Sequence, residues 1–201
     1  MPRAYTPVKR LLDVLLAGTG LVVLSPLLLG LAAAVRLSSH GPAVFRQERM
    51  GRGARPFTLL KLRSMTTDEG GPSVTSAGDR RVTPLGRFLR RYKLDELPQL
   101  INVVRGDMSL VGPRPEVRRF VEAFPEAYAE VLTVRPGLTD YAAVAYRDEE
   151  TILSTAEDPE ALYLREVLPR KIELYREYIR TMSLTTDLRL ILQTIAVIVR
   201  P

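Results

Sequence analysis

The feature that most limits what this chain can fold into is a run of 25 residues, Leu11 to Val35, whose only charged member is Asp13. About 20 apolar residues are enough for a helix to cross the hydrocarbon of a bilayer, so the fold must either bury this run or give it to lipid. The run is too long for the apolar part of a secretory leader. Two readings remain. One is a straight span. The other turns on Ser25-Pro26 in the middle of the run. Proline deletes one helical hydrogen bond and clashes with the carbonyl four residues back, and a serine hydroxyl can satisfy a freed backbone group. Basic residues flank both ends, Lys9 and Arg10 before and Arg36, Arg46 and Arg49 after. Positive flanks mark the cytoplasmic side. A helix-break-helix that enters and leaves by one leaflet satisfies both flanks better than a span does.

Composition then narrows the chemistry. With 201 residues, 46 % apolar and 26 % charged, the chain is long and apolar enough for one domain with a core. It has no cysteine, which excludes disulfides, a thiol nucleophile and a cysteine-ligated metal. Its single histidine, His40, makes neither a histidine-rich metal site nor a serine-hydrolase arrangement with spare parts. What is left is carboxylates, Lys/Arg and a hard cation held by oxygen. The net charge of +6 favours anionic partners.

Past the apolar run, residues 43–47 and 57–63 read as two strands of a β-hairpin around Gly51-Arg52-Gly53. Strand periodicity puts Lys61 and Arg63 on one face, either as solvated side chains or as cations aimed at phosphate. Residues 66–78 read as a polar loop, and residues 80–93 carry six cations, among them Arg90. Such a run is a solvated or lipid-facing surface, or part of a site. Residues 95–106 read as a short helix with Leu97, Leu100, Ile101 and Val104 on one face and Gly106 as its C-cap. Asp95, Gln99 and Asn102 align on the opposite face, and Glu96 adjoins Asp95. Prolines 113 and 115 bracket Arg114 and fix its backbone. Helical patterning marks residues 116–132 and 159–182. Residues 148–160 are acidic, and 187–199 form an apolar segment too short to span, destined for the core or for the membrane interface. The predicted fold class is α+β, mostly helical with a small β-hairpin.

Asp95-Glu96 is open to two readings. One is a helix N-cap with a favourable dipole contact. The other is chemical: an aspartate can attack phosphorus and form an acyl phosphate, and two adjacent carboxylates suit Mg²⁺. Arginines would then hold phosphate oxygens through paired hydrogen bonds.

An ordered set of motifs bears on that choice. It runs through Lys9-Arg10-x-x-Asp13, Ser25-Pro26, residues 41–51 (Gly-Pro-Ala-Val-Phe-Arg-Gln-Glu-Arg-Met-Gly), and Lys61-Leu62-Arg63-Ser64-Met65. It continues through residues 94–103 (Leu-Asp-Glu-Leu-Pro-Gln-Leu-Ile-Asn-Val), residues 106–115 (Gly-Asp-Met-Ser-Leu-Val-Gly-Pro-Arg-Pro) and Arg135-Pro136-Gly137-Leu138-Thr139. In these, over nearly its full length, the chain resembles the bacterial sugar transferases, the monotopic polyprenyl-phosphate phosphoglycosyl transferases, in a minimal form without additional N-terminal membrane helices. The resemblance implies a re-entrant membrane hairpin over residues 1–40, bent at Ser25 and Pro26, and a catalytic domain over 41–201 acting with it as one unit. It implies amphipathic helices along the membrane, placement at the cytoplasmic face of the bacterial inner membrane, and Mg²⁺ held by Asp95 and Glu96. It also implies a two-step reaction that opens a glycoconjugate pathway. The aspartate matching Asp95 attacks the sugar-bearing phosphate of a UDP-sugar and expels UMP, with Glu96 as its partner in the dyad; polyprenyl phosphate then takes the phosphosugar. Lys61, Arg63, Arg90, Asn102, Arg114 and Arg147 are the candidate phosphate- and substrate-binding residues. One segment departs from the family pattern. Many members read Pro-Gly-Ile-Thr-Gly-Trp-Ala-Gln-Val-Asn-Gly-Arg where residues 136–147 read Pro-Gly-Leu-Thr-Asp-Tyr-Ala-Ala-Val-Ala-Tyr-Arg. Arg147 is kept, but the polar contacts of that loop do not carry over.

Two other classes compete. A non-enzymatic module that binds acidic lipid explains the charge and the apolar segments, but gives no reason for a carboxylate pair backed by two amides. A nucleic-acid partner is not expected, since the chain has no Trp, few aromatic residues and no recognisable binding motif.

Overall fold

The computed structural model describes residues 5–66 and 74–199. Most of the loop expected over residues 66–78 therefore lies outside the described residues. The first element, α1 (Tyr5–Ser38), is a single helix of 34 residues, about 51 Å at 1.5 Å per residue. The helical hydrogen-bonded backbone continues through Ser25-Pro26, where the bend is expected. The reason is local. Pro26 cannot donate to the carbonyl of Val22, and the Ser25 hydroxyl donates to that same oxygen at 2.7 Å.

Two strands follow, β1 (Val44–Met50) and β2 (Pro56–Leu62), antiparallel with Val44 opposite Leu62 and Met50 opposite Pro56. The turn between them holds Gly53 and Ala54 at positive φ. Next come α2 (Pro84–Arg91), capped by the Thr83 hydroxyl, and α3 (Gln99–Arg105), closed by Gly106 at φ 97°. Strand β3 (Ser109–Val111) pairs in parallel with β4 (Gly137–Thr139), a second small sheet that strand periodicity did not predict. Its backbones approach so closely that a Cβ on Gly137 would lie 2.0 Å from the Gly112 nitrogen. The helix expected over 116–132 is split at Phe124-Pro125 into α4 (Arg118–Ala123) and α5 (Pro125–Val131). Short helices α6 (Tyr141–Ala145), α7 (Glu149–Leu153) and α8 (Pro159–Leu162) lead through a π-turn at Tyr163–Val167 into α9 (Leu168–Thr181) and α10 (Leu184–Val199). The acidic stretch supplies α7 and the start of α8.

The main core lies between α4, α5 and α9, around Phe120, Tyr128, Tyr163, Leu168, Ile172 and Tyr175. Helix α1 takes part in two further clusters. Ala17 packs with Leu59, Leu100, Val103 and Met108, and Val35 packs with Leu62 and Leu89. Polar contacts tie both ends of α1 to the same body. Near its start, Lys9 pairs with Asp187 at 2.5 Å, Arg10 donates to the carbonyls of Val103 and Val104, and Asp13 accepts from the Leu110 amide. At its end, Arg63 donates to the carbonyls of Val35, Ser39 and His40. The outer face of α1 is apolar and exposed at Leu11, Leu15, Leu16, Val22, Val23, Leu27 and Leu29. Helix α10 buries Leu190 against Val111 and Tyr178 and exposes Leu184, Leu188, Leu192, Ile195 and Val199. One face of α10 is thus core, and its other face is apolar and exposed.

Candidate active site

The chain leaves α2 through Lys93, one of two described non-glycine residues with positive φ, and enters a 3₁₀ turn, Leu94–Glu96. Asp95 therefore sits one turn ahead of α3 and not in its first α-helical turn. Pro98 is the cause, since it has no N–H for a helical bond and is tolerated only where α3 begins. Asp95 and Glu96 are both buried, 4 % and 7 % exposed.

Glu96 is the centre of a cation cluster. Its Oε1 accepts from Lys61 Nζ at 3.1 Å and from Arg114 Nη2 at 2.7 Å, and Arg114 Nη1 reaches Oε2 at 3.4 Å. Three elements converge here: β2 supplies Lys61, the 3₁₀ turn supplies Glu96, and the segment after β3 supplies Arg114. Burial works against the Glu96 carboxylate, but the Arg114 guanidinium and then Lys61 outweigh it and hold its pKa well below the usual range. Glu96 in turn raises Arg114. Burial lowers the pKa of Lys61, opposed by Glu96.

Asp95 differs. Burial pushes its pKa up, opposed by Lys61 and reinforced by the negative charge of Glu96. Its Oδ1 is buried without a hydrogen-bond partner. An aspartate held out of water with one oxygen unengaged suits attack on an electrophile or coordination of a cation. Because both Glu96 oxygens already carry cations, Asp95 is the carboxylate of the dyad with capacity left for a metal. No cluster of three or more His, Cys, Asp or Glu occurs among the described residues. Mg²⁺ does not need one, since it is held by one or two carboxylates together with substrate phosphates.

The structure brings Asp95, Glu96, Lys61 and Arg114 together and gives the other expected site residues partners of their own. Arg63 does not share the Lys61 face; it is buried and caps the C-terminal carbonyls of α1. Asn102 is fully buried, and its side chain is occupied: Oδ1 accepts from the Leu60 amide at 3.1 Å, and Nδ2 donates to the Thr58 carbonyl at 2.8 Å and to Asp107. It fastens β2 to α3 and so sets the height of Lys61. Arg90 pairs with Glu150 from α7, with Nε 2.9 Å from Oε1. Its charge nonetheless acts on Asp95. Arg147 lies 4.0 Å from its sequence neighbour Asp148.

Two acidic residues were not anticipated. Asp140, buried, accepts from the Arg114 backbone amide at 2.9 Å and from the Ala143 amide at 2.6 Å. It thus holds the Arg114 backbone and caps α6, and burial pushes its pKa up to about 6. An Asp three residues ahead of a helical amide was the available signal. Glu116, two residues beyond Arg114, accepts from Arg49 at 3.2 Å and from the Tyr163 hydroxyl at 2.6 Å, and anchors the far side of the same loop. A charge next to a proline-bracketed arginine was its only sequence mark.

The family model described as bacterial sugar transferase matches residues 4–201. The UDP-glucose:undecaprenyl-phosphate glucose-1-phosphate transferase of Caulobacter vibrioides is 45 % identical, over 93 % of this chain and 68 % of that protein. The UDP-N-acetylgalactosamine-undecaprenyl-phosphate N-acetylgalactosaminephosphotransferase of Aeromonas hydrophila is 38 % identical, over 96 % of this chain and 44 % of its own length. The UDP-glucose:undecaprenyl-phosphate glucose-1-phosphate transferase of Escherichia coli K12 is 40 % identical, over 93 % of this chain. The chain spans 39 % of that last protein and so corresponds to less than half of two of these three relatives.

Proposed function

The chain belongs to the bacterial sugar transferase family, and from that membership we propose that it moves a sugar 1-phosphate from a UDP-sugar onto polyprenyl phosphate and releases UMP. The observation that carries the reading is the contrast within the dyad. Glu96 is neutralised by Lys61 and Arg114, while beside it Asp95 keeps a buried oxygen free.

The reaction has two displacements. An Asp95 carboxylate oxygen attacks the phosphorus that bears the sugar and forms an acyl phosphate, and the bond to the nucleotide phosphate breaks, its electron pair leaving with UMP. An oxygen of polyprenyl phosphate then attacks the same phosphorus. The new pyrophosphate bond forms and the acyl phosphate bond breaks, which restores the Asp95 carboxylate. Lys61 and Arg114 face the pyrophosphate as a fixed pair of cations, preorganised by Glu96 before substrate arrives. Mg²⁺ held by Asp95 and substrate phosphates would offset the repulsion between an anionic nucleophile and an anionic substrate.

The same reading has the protein act at the cytoplasmic face of the membrane, as the first membrane step of a glycoconjugate pathway. Helix α1 is long enough to cross a bilayer, but both its ends are held by one protein body. A spanning helix would put those ends on opposite sides of about 30 Å of hydrocarbon. Its exposed apolar side and that of α10 supply surface for lipid.

The test is the purified protein in detergent with undecaprenyl phosphate and a panel of UDP-sugars. UMP release with at least one of them is expected, stopped by EDTA and restored by Mg²⁺. In the absence of lipid acceptor, a phosphosugar adduct on Asp95 should be found by mass spectrometry of its peptide. Full turnover by Asp95→Asn would overturn the assignment.

A further inference from the structure

We propose that the Gln99 side-chain amide is a binding residue for the reacting group, donating a hydrogen bond to a non-bridging oxygen of the phosphate that Asp95 attacks. The inference rests on the reading of Asp95 as the nucleophile.

Three polar side chains follow one another from the 3₁₀ turn into α3: Asp95, Gln99 and Asn102. The backbone between the first two stays helical, with Leu97 at φ −53°, ψ −37° and Pro98 at φ −60°, ψ −17°. That stretch is bonded i to i−3, with the Leu97 amide on the Leu94 carbonyl and the Leu100 amide on the Leu97 carbonyl, so Gln99 follows Asp95 by little more than one turn. The three side chains have different fates. Asn102 is closed, with both of its polar atoms used to hold β2 and Asp107. Gln99 is 2 % exposed, yet its Nε2 has no partner, and Asp95 Oδ1 is likewise buried and unpartnered.

Buried amide donors are nearly always satisfied, and one that is not needs a cause. An amide donor and a carboxylate oxygen one turn apart have every electrostatic reason to bond to each other. Here both stand open, which is the arrangement expected when a third group belongs between them. That group must accept a hydrogen bond from Gln99 and offer an electrophilic atom to Asp95. A phosphoryl group does both, with oxygen for the amide and phosphorus for the carboxylate. The surrounding charges agree, since Lys61 and Arg114 converge on the neighbouring Glu96 and make the place receptive to an anion. The unmet bond of Gln99 is made only when the phosphate arrives, so it favours the bound and reacting states over the empty one.

The test uses the full chain in detergent with two substitutions of nearly equal shape. Gln99→Met removes the donor, and Gln99→Glu replaces it with a negative charge. Three quantities are read: the melting temperature, the single-turnover rate of UMP release without lipid acceptor, and the adduct on Asp95. For Gln99→Met the melting temperature should stay within about 2 °C of wild type or rise above it, because an unmet polar group has been taken out of the interior. Its first-step rate should fall at least about tenfold, the size of one hydrogen bond to a charged group made at the reacting centre. Gln99→Glu should be slower still, through repulsion of the phosphate. In both variants the slow adduct should remain on Asp95. A Gln99→Met protein that melts well below wild type but releases UMP within threefold of it would make the amide structural and overturn the proposal. So would a Gln99→Glu protein of wild-type rate. Absence of the adduct from the wild-type protein is a different result and overturns the Asp95 reading itself.

Discussion

Replacing Glu96 with glutamine would leave Lys61 and Arg114 facing one another with no negative charge between them. In the native protein both reach the same oxygen, at 3.1 and 2.7 Å, and the Lys61, Glu96 and Arg114 side chains are 20 %, 10 % and 32 % exposed. Removing one partner of a buried pair costs about 3–5 kcal/mol, because the remaining charge stays in the interior. Arg114 is the most exposed member and recovers some hydration, so the loss should fall near the low end, about 3 kcal/mol. For a protein of this size that is a drop of roughly 6–12 °C in melting temperature. The sign with pH follows from the depressed Glu96 pKa. The stabilisation is fully present above the unfolded value of 4.5 and disappears as pH falls through the lower, folded value. The gap between wild type and Glu96→Gln should therefore hold from neutral pH down to about 4.5 and close only in stronger acid. Far-UV circular dichroism melts in detergent across that range measure it, and with no tryptophan in the chain they are a better probe than fluorescence. Adding Lys61→Met to Glu96→Gln removes the stranded ammonium and should win back part of the loss. A Glu96→Gln protein within about 1 kcal/mol of wild type at pH 7, or a double variant no more stable than the single, would refute this account of the cluster.

Asp95→Asn should behave in the opposite way to Glu96→Gln, losing turnover while melting at or above the wild-type temperature at pH 7. Its carboxylate has a raised pKa, so ionisation opposes folding, and the advantage of asparagine should shrink as pH falls through the raised folded value and be gone below about 4. Gly137→Ala places a methyl carbon 2.0 Å from the Gly112 nitrogen. It should displace the β3–β4 pair and cost both stability and activity, and intact melting with full UMP release would count against the close approach. For topology, single cysteines at the exposed positions Val8 and Leu37 should both be shielded from a membrane-impermeant maleimide in intact cells and both react in inverted vesicles. Labelling of one but not the other in intact cells would mean a span.

The parts of this fold that could be read from sequence are those decided by neighbours in the chain. Gly51-Arg52-Gly53 marked the hairpin turn, Gly106 marked the end of α3, and Pro113 and Pro115 marked a fixed Arg114. Contacts that depend on distant partners were not legible. Strand alternation put Arg63 beside Lys61, but β2 ends at Leu62 and Arg63 turns to carbonyls more than 20 positions earlier. Asn102 looked like an amide behind the dyad because helical spacing says which way a side chain points, not that a strand 42 residues earlier will consume it. Arg90 was one cation among six until Glu150, 60 residues on, selected it. The Ser25 hydroxyl, by contrast, acts one residue from Pro26 and satisfies the Val22 carbonyl as expected from the sequence.

The way α1 is built in changes what its removal would do. Membrane segments are commonly treated as tethers that can be cut away to free a soluble domain. Here Ala17 shares a cluster with Leu59, Val103 and Met108, Val35 shares one with Leu62 and Leu89, and Arg63 spends its guanidinium on the end of the helix. Deleting residues 5–38 would open two hydrophobic clefts under β2 and α3, the elements that carry Lys61 and lie beside Asp95, and would strand a buried arginine. The helix and α10 are also joined across 178 positions by Lys9 and Asp187. That contact is far apart in sequence, so α1 must wait for α10 before this part of the fold can close. A truncated protein would gain no independence from lipid; it would lose its active site.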